Sequence, residues 1–155
     1  MSAIEMAFAE SQKAIGREIG LSDWVLLNQA RIDAFAAATL DRQWIHTAPE
    51  KAANTAFGGT IAHGFLTLSL AAHFAQTALP PSKGAVMSVN YGFDRIRFLA
   101  PVRSGARIRG RFILEQAVKR KPLELLRTYA LSIEIEGMQT PAVKATWLGL
   151  TIFDD

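Results

Sequence analysis

Between residues 62 and 79 the chain is apolar on almost every side of a helix, through Phe65, Leu66, Leu68, Leu70, Ala71, Ala72, Phe74 and Ala75. Such a helix has no face suited to water and has to be enclosed by other elements. Pro80 and Pro81 stop it. Everything after them carries strand signals. Residues 86–99 are rich in Val, Tyr, Phe and Ile. Residues 106–118 set Ile108, Phe112 and Leu114 on one side and Arg107, Arg109 and Arg111 on the other. Residues 125–135 set Tyr129, Leu131, Ile133 and Ile135 against Thr128, Ser132, Glu134 and Glu136, and residues 143–152 make a last strand. Turn residues fall at 101–105, 121–122 and 137–141. Four strands in succession and one helix needing cover predict an α+β domain, an antiparallel sheet curved around a central helix. The side of the helix left open calls for a second subunit, so at least a dimer is expected.

Upstream, residues 3–15 favour a short helix that ends near Gly16. Residues 25–27 read as a short strand, and Asn28 as the cap of a helix with Ile32, Phe35 and Ala36 on one face. Residues 40–60 show no sustained period and read as a long loop with one helical turn near Pro49. Trp44, Ile45 and Phe57 within it imply order, and a long ordered loop is usually functional. The 155 residues fit one domain, 1–155, in which 1–20 form an N-terminal helical extension.

Composition removes several classes of function. Half of the residues are apolar and 20% are charged, a globular balance. The absence of cysteine excludes disulfides, thiolate metal sites and a cysteine nucleophile. Residues 1–13 carry Glu5 and Glu10 and lack the pattern of a signal peptide. His63, Thr67, Ser69, His73, Gln76 and Thr77 interrupt the apolar run, which argues against a membrane span and for a cytoplasmic protein. The net charge of +3 hides a basic stretch from Arg95 to Lys121, in which the only acid is Glu115, with Asp94 just before it. That stretch is either the solvated face of strands or a landing surface for a phosphorylated ligand. Nucleic acid is disfavoured, because no aromatic-interleaved basic helix accompanies the charge.

Chemistry concentrates in two segments. Asp41-Arg42-Gln43-Trp44-Ile45-His46 sets a carboxylate and an imidazole five positions apart. Phe57-Gly58-Gly59-Thr60-Ile61-Ala62-His63-Gly64 is glycine-rich and opens the apolar helix. An acid/base pair followed by backbone donors at a helix start suits addition of water to an activated carbonyl compound. Asp41, His46, His63 and His73 match no zinc spacing, so no metal is expected. His63 reads as a structural group bonding loop backbone near the helix start, and His73 as a satisfied core histidine. Trp44 and Trp147 read as packing groups, and Ser69 lacks the setting of a nucleophile.

These two segments, together with Asn90-Tyr91-Gly92-Phe93-Asp94-Arg95-Ile96-Arg97-Phe98, resemble the MaoC-like dehydratase family. The branch is that of nodulation protein N and the (R)-specific enoyl-CoA hydratases, and the likeness runs from about residue 23 to 150. It implies a single hot-dog domain acting as a homodimer. It implies reversible addition of water to trans-2-enoyl thioesters, with no cofactor beyond the coenzyme A or acyl-carrier protein that carries the substrate. The basic stretch would suit either carrier. By match, Asp41 and His46 hold and activate the water, and Gly64 offers its backbone N–H to the thioester oxygen. Gln43 stands where many relatives have an orienting asparagine, and Gln43, Gly59, Ile61 and His63 are expected beside the substrate.

Two departures stand out. Leu40 occupies a position where relatives usually have glycine, which matters if the backbone there needs positive φ. Thr47-Ala48-Pro49 stands where many have an aspartate. Two other functions compete. A hot-dog thioesterase would want an acid on the central helix, and residues 62–79 have none. A non-catalytic acyl-thioester-binding subunit is disfavoured because one chain holds both Asp41 and His46.

Overall fold

The four strands after Pro81 form one antiparallel sheet, as the alternation predicts. The computed structural model describes residues 1–154. Its long strands are β3 (Ala85–Phe98), β4 (Ala106–Lys121), β5 (Glu124–Ile135) and β6 (Val143–Phe153). Two short strands, β1 (Glu18–Leu21) and β2 (Val25–Leu27), pair with β4. The order is β1-β4-β5-β6-β3, which leaves β3 as an edge. From Ile108 to Leu114 in β4 and from Tyr129 to Ile135 in β5 every second residue is buried, among them Phe112, Leu131 and Ile133. On the other face of β4, Arg107 pairs with Glu136 at 3.2 Å, and Arg109 and Arg111 both pair with Glu134 at 2.7 Å. Arg111 also reaches Glu18. Arg107, Arg109 and Arg111 therefore form a neutralised strand face, while Arg95, Arg97, Arg103 and Lys119 have no carboxylate within 4 Å among the described residues.

The apolar run of 62–79 packs on the inner face but not as one helix. It forms α5 (Gly64–Ser69) and α6 (Ala71–Ala78), following α1 (Ala3–Ala14), α2 (Gln29–Thr39), α3 (Trp44–Thr47) and α4 (Pro49–Ala52). The break falls at Leu70, beside a side-chain bond to the helix backbone. The Ser69 hydroxyl donates to the Phe65 carbonyl at 2.5 Å, a back-bond that bends helices. Phe74 is fully buried and lies so close to β4 that a Cβ on Gly110 would sit 2.7 Å from its Cβ. Leu66, Ala71 and Phe74 join the inner residues of the sheet in one core. This is a hot-dog fold.

Within one chain the helix is enclosed on one side and leaves the open side that the sequence predicts. Phe65 is 68% exposed, and Ser69, His73, Gln76 and Thr77 also face out. His73 is thus no core histidine. The N-terminal extension is not wholly helical either. After Gly16, at φ +81°, the chain turns into β1, whose Leu21 faces Arg111. Its four residues are too short for a period to show. Helix α1 opens on a Ser2/Glu5 capping box and packs Ile4 and Ala7 against Ala117, Leu125 and Phe153. No helix among the described residues is long and apolar enough to cross a membrane.

Candidate active site

The site begins where α2 stops. Asn28 caps the helix by accepting the Arg31 N–H at 3.0 Å, and Leu40 ends it in the left-handed region at φ +66° and ψ +9°. Leu40 itself adopts the positive φ that glycine would take without strain. The turn delivers Asp41, which is exposed and accepts the Gln43 N–H at 3.4 Å. Residues 44–47 then form α3, a helical turn that sequence patterning missed. Its start depends on backbone acceptance by Gln43, whose carbonyl takes the His46 N–H at 3.0 Å. The Gln43 side chain makes no described hydrogen bond, so the structure lends no support to an orienting amide there.

Helix α3 turns His46 inward, to 6% exposure. Its Nδ1 lies 2.7 Å from the carbonyl of Ile61. A carbonyl only accepts, so Nδ1 carries a proton, and in the neutral ring Nε2 keeps the lone pair. His63 is 2% exposed, and its Nε2 lies 2.9 Å from the backbone carbonyl of Asp41. The two imidazole rings stack at 3.9 Å and 26°. Asp41, His46 and His63 bring ligand-type atoms within 4.8 Å of one another. Two of the four ring nitrogens are already committed to carbonyls.

A cavity of about 250 Å³ opens beside His46 and is bordered by Ile61, Gly64, Thr67, Phe98, Val102 and Val143, among others. Gly64 is the first residue of α5, where backbone N–H groups have no acceptor within the helix. Any larger residue there meets Phe98, since a Cβ would fall 2.9 Å from two ring carbons. Of the residues expected beside the substrate, Ile61 borders this cavity. Gln43, Gly59 and His63 do not. Gly59 stands near Arg103, which donates to the Gly58 carbonyl at 2.8 Å, and His63 stands behind His46.

Two supporting residues escaped sequence reasoning. Gln29 donates to the His46 carbonyl at 2.7 Å, and its own carbonyl accepts the buried Thr60 hydroxyl at 2.5 Å. It ties the start of α2 to both chemical segments across 17 and 31 positions. No local pattern announces a contact between such distant residues.

Comparison with known proteins identifies the family. Residues 10–132 match the family model described as MaoC like domain. Nodulation protein N of Rhizobium leguminosarum bv. viciae is 45% identical over 151 residues, 97% of this chain and 94% of that one. The 3-hydroxyacyl-thioester dehydratase Z of Mycobacterium tuberculosis (strain ATCC 25618 / H37Rv) is 40% identical over 137 residues, 88% and 90% of the two chains. Among solved structures, the (R)-hydratase from A. caviae involved in PHA biosynthesis superposes with a TM-score of 0.71 at 27% identity, covering 87% of this chain and 94% of that one. The chain belongs to the MaoC-like dehydratase family.

Proposed function

We propose that the protein is a hydro-lyase that adds water reversibly to trans-2-enoyl thioesters, giving (R)-3-hydroxyacyl thioesters. The observation that carries this reading is His46, buried at a cavity wall with Nδ1–H fixed on Ile61 and Nε2 free, beside the carboxylate of Asp41. Water held by the two gives a proton to Nε2 as its oxygen bonds to the β-carbon. The imidazolium that results is stabilised by the Asp41 carboxylate and returns the proton to the α-carbon. Charge that grows on the thioester oxygen in between meets the Gly64 N–H at the start of α5. No metal or cofactor enters the scheme.

The carrier, coenzyme A or an acyl-carrier protein, brings phosphate. Arg97 and Lys144 stand directly opposite each other on β3 and β6, one residue from the cavity-lining Phe98 and Val143. Like charges so placed repel and favour an incoming anion. We read the open apolar surface of Phe65 and of Val86, Met87, Val89 and Tyr91 on edge strand β3 as the contact with a second copy in a homodimer.

Loss of enoyl absorbance on mixing with trans-2-enoyl-CoA of short and medium length tests the reading. Asp41→Asn and His46→Gln should each lower the rate by about two to four orders of magnitude while keeping the fold. Wild-type rates in either variant would remove that residue from the mechanism. Appearance of free thiol would favour the thioesterase alternative, for which α5 and α6 offer no carboxylate.

A further inference from the structure

We infer that His63 is the positioning residue that holds Asp41 and His46 in working register. The inference rests on the reading of those two as the reacting pair. Little else fixes Asp41. It is exposed, it follows the left-handed Leu40, and its carboxylate has one long bond, to Gln43 at 3.4 Å. The Nε2–H of His63 ties its carbonyl to the core across 22 positions. His63 is itself well anchored. The preceding Ala62 donates to Val102 at 2.7 Å, and the His63 carbonyl accepts the Thr67 N–H at 3.1 Å. Its ring lies on His46 at 3.9 Å and meets Phe35 of α2 at 4.9 Å. One side chain therefore bonds the backbone of the carboxylate and sets the plane of the base.

Packing alone does not call for a histidine there. In the neutral ring with Nε2 protonated, Nδ1 is a lone-pair acceptor, and it is buried with no partner among the described residues. An unpartnered buried acceptor carries a desolvation penalty that leucine would avoid. The compensating feature is the donor on the opposite side of the ring, at the distance and direction of Asp41. His63 does not border the cavity, so it acts through the pair rather than on substrate.

The test is a double-mutant cycle of His63→Leu with Asp41→Asn, with His63→Gln as the conservative variant that keeps a donor near Nε2. His63→Leu in the wild-type background should lower kcat by about 30- to 100-fold with KM little changed, the scale of a misplacement near 1 Å. His63→Gln should recover most of that loss. In the Asp41→Asn background, His63→Leu should cost about threefold or less. Equal fold losses in both backgrounds, or a Gln variant as slow as Leu, would overturn the proposal. The imidazole ¹⁵N spectrum of the wild type separates failure of the reading from failure of the inference. His63 protonated at Nε2, with the Asp41 and Arg42 amide signals displaced in the Gln or Leu variant, upholds the positioning even in a protein that hydrates nothing. His63 protonated at Nδ1 overturns it whatever the activity.

Discussion

Replacing Leu40 by glycine should stabilise the protein, although it removes a large apolar side chain. Leu40 is the one non-glycine residue with positive φ among those described, at +66°. An L-residue in that region carries about 1–2 kcal/mol of strain between Cβ and the backbone. Glycine releases it. Against this stands the greater freedom of glycine in the unfolded chain, about 0.4–1 kcal/mol. The side chain itself is 75% exposed, so its removal forfeits little burial. The net gain is about 0.5–1 kcal/mol, which in a chain of this length raises Tm by roughly 1–4 °C. Thermal unfolding followed by circular dichroism, beside Leu40→Ala, checks the cause. Alanine keeps the Cβ and the strain, so Leu40→Ala should gain nothing. A glycine variant no more stable than the alanine variant would refute the strain argument.

Three further outcomes follow from the packing and the charges. Gly110→Ala places a methyl group 2.7 Å from the Phe74 Cβ and should destabilise by about 1–3 kcal/mol in urea titrations. Gly64→Ala displaces the Phe98 ring from the cavity wall, so enoyl hydration should fall by at least about tenfold while the melting temperature moves little. Partial burial alone would raise the pKa of Glu134, but hydrogen bonds from Arg111 and Arg109 outweigh it and hold the carboxyl below its ordinary value. Its folded value lies below its unfolded one, so its stabilisation is present above the usual glutamate range near about 4.3 and is lost as pH falls through the lowered value. Glu134→Gln should therefore flatten the acid limb of the stability curve.

The strands were legible because burial on one face imposes a period of two, and that period survives without tertiary knowledge. The meeting of Asp41 with His46 was legible through the order of residues around them. The rest depended on contacts that sequence does not display. The split of the central helix falls at Leu70, where the apolar pattern runs on without a mark. The exposure of His73 came from cover on one side only, since periodicity tells that a helix is apolar but not where its neighbours end. Strand β1 and the α3 turn are each four residues long, shorter than any window in which a pattern can repeat. Gln29 and Thr60 meet across 31 positions, and His63 reaches Asp41 across 22, so their roles exist only once the fold has brought them together.

The most direct measurement is mass analysis, with chiral assignment, of the product formed from trans-2-butenoyl-CoA in ¹⁸O-labelled water. The account predicts one ¹⁸O on the β-carbon, R configuration and an intact thioester, with the product absent when His46 is replaced by glutamine. Free coenzyme A with label in a released carboxylic acid, or unchanged product formation in the His46 variant, would contradict it.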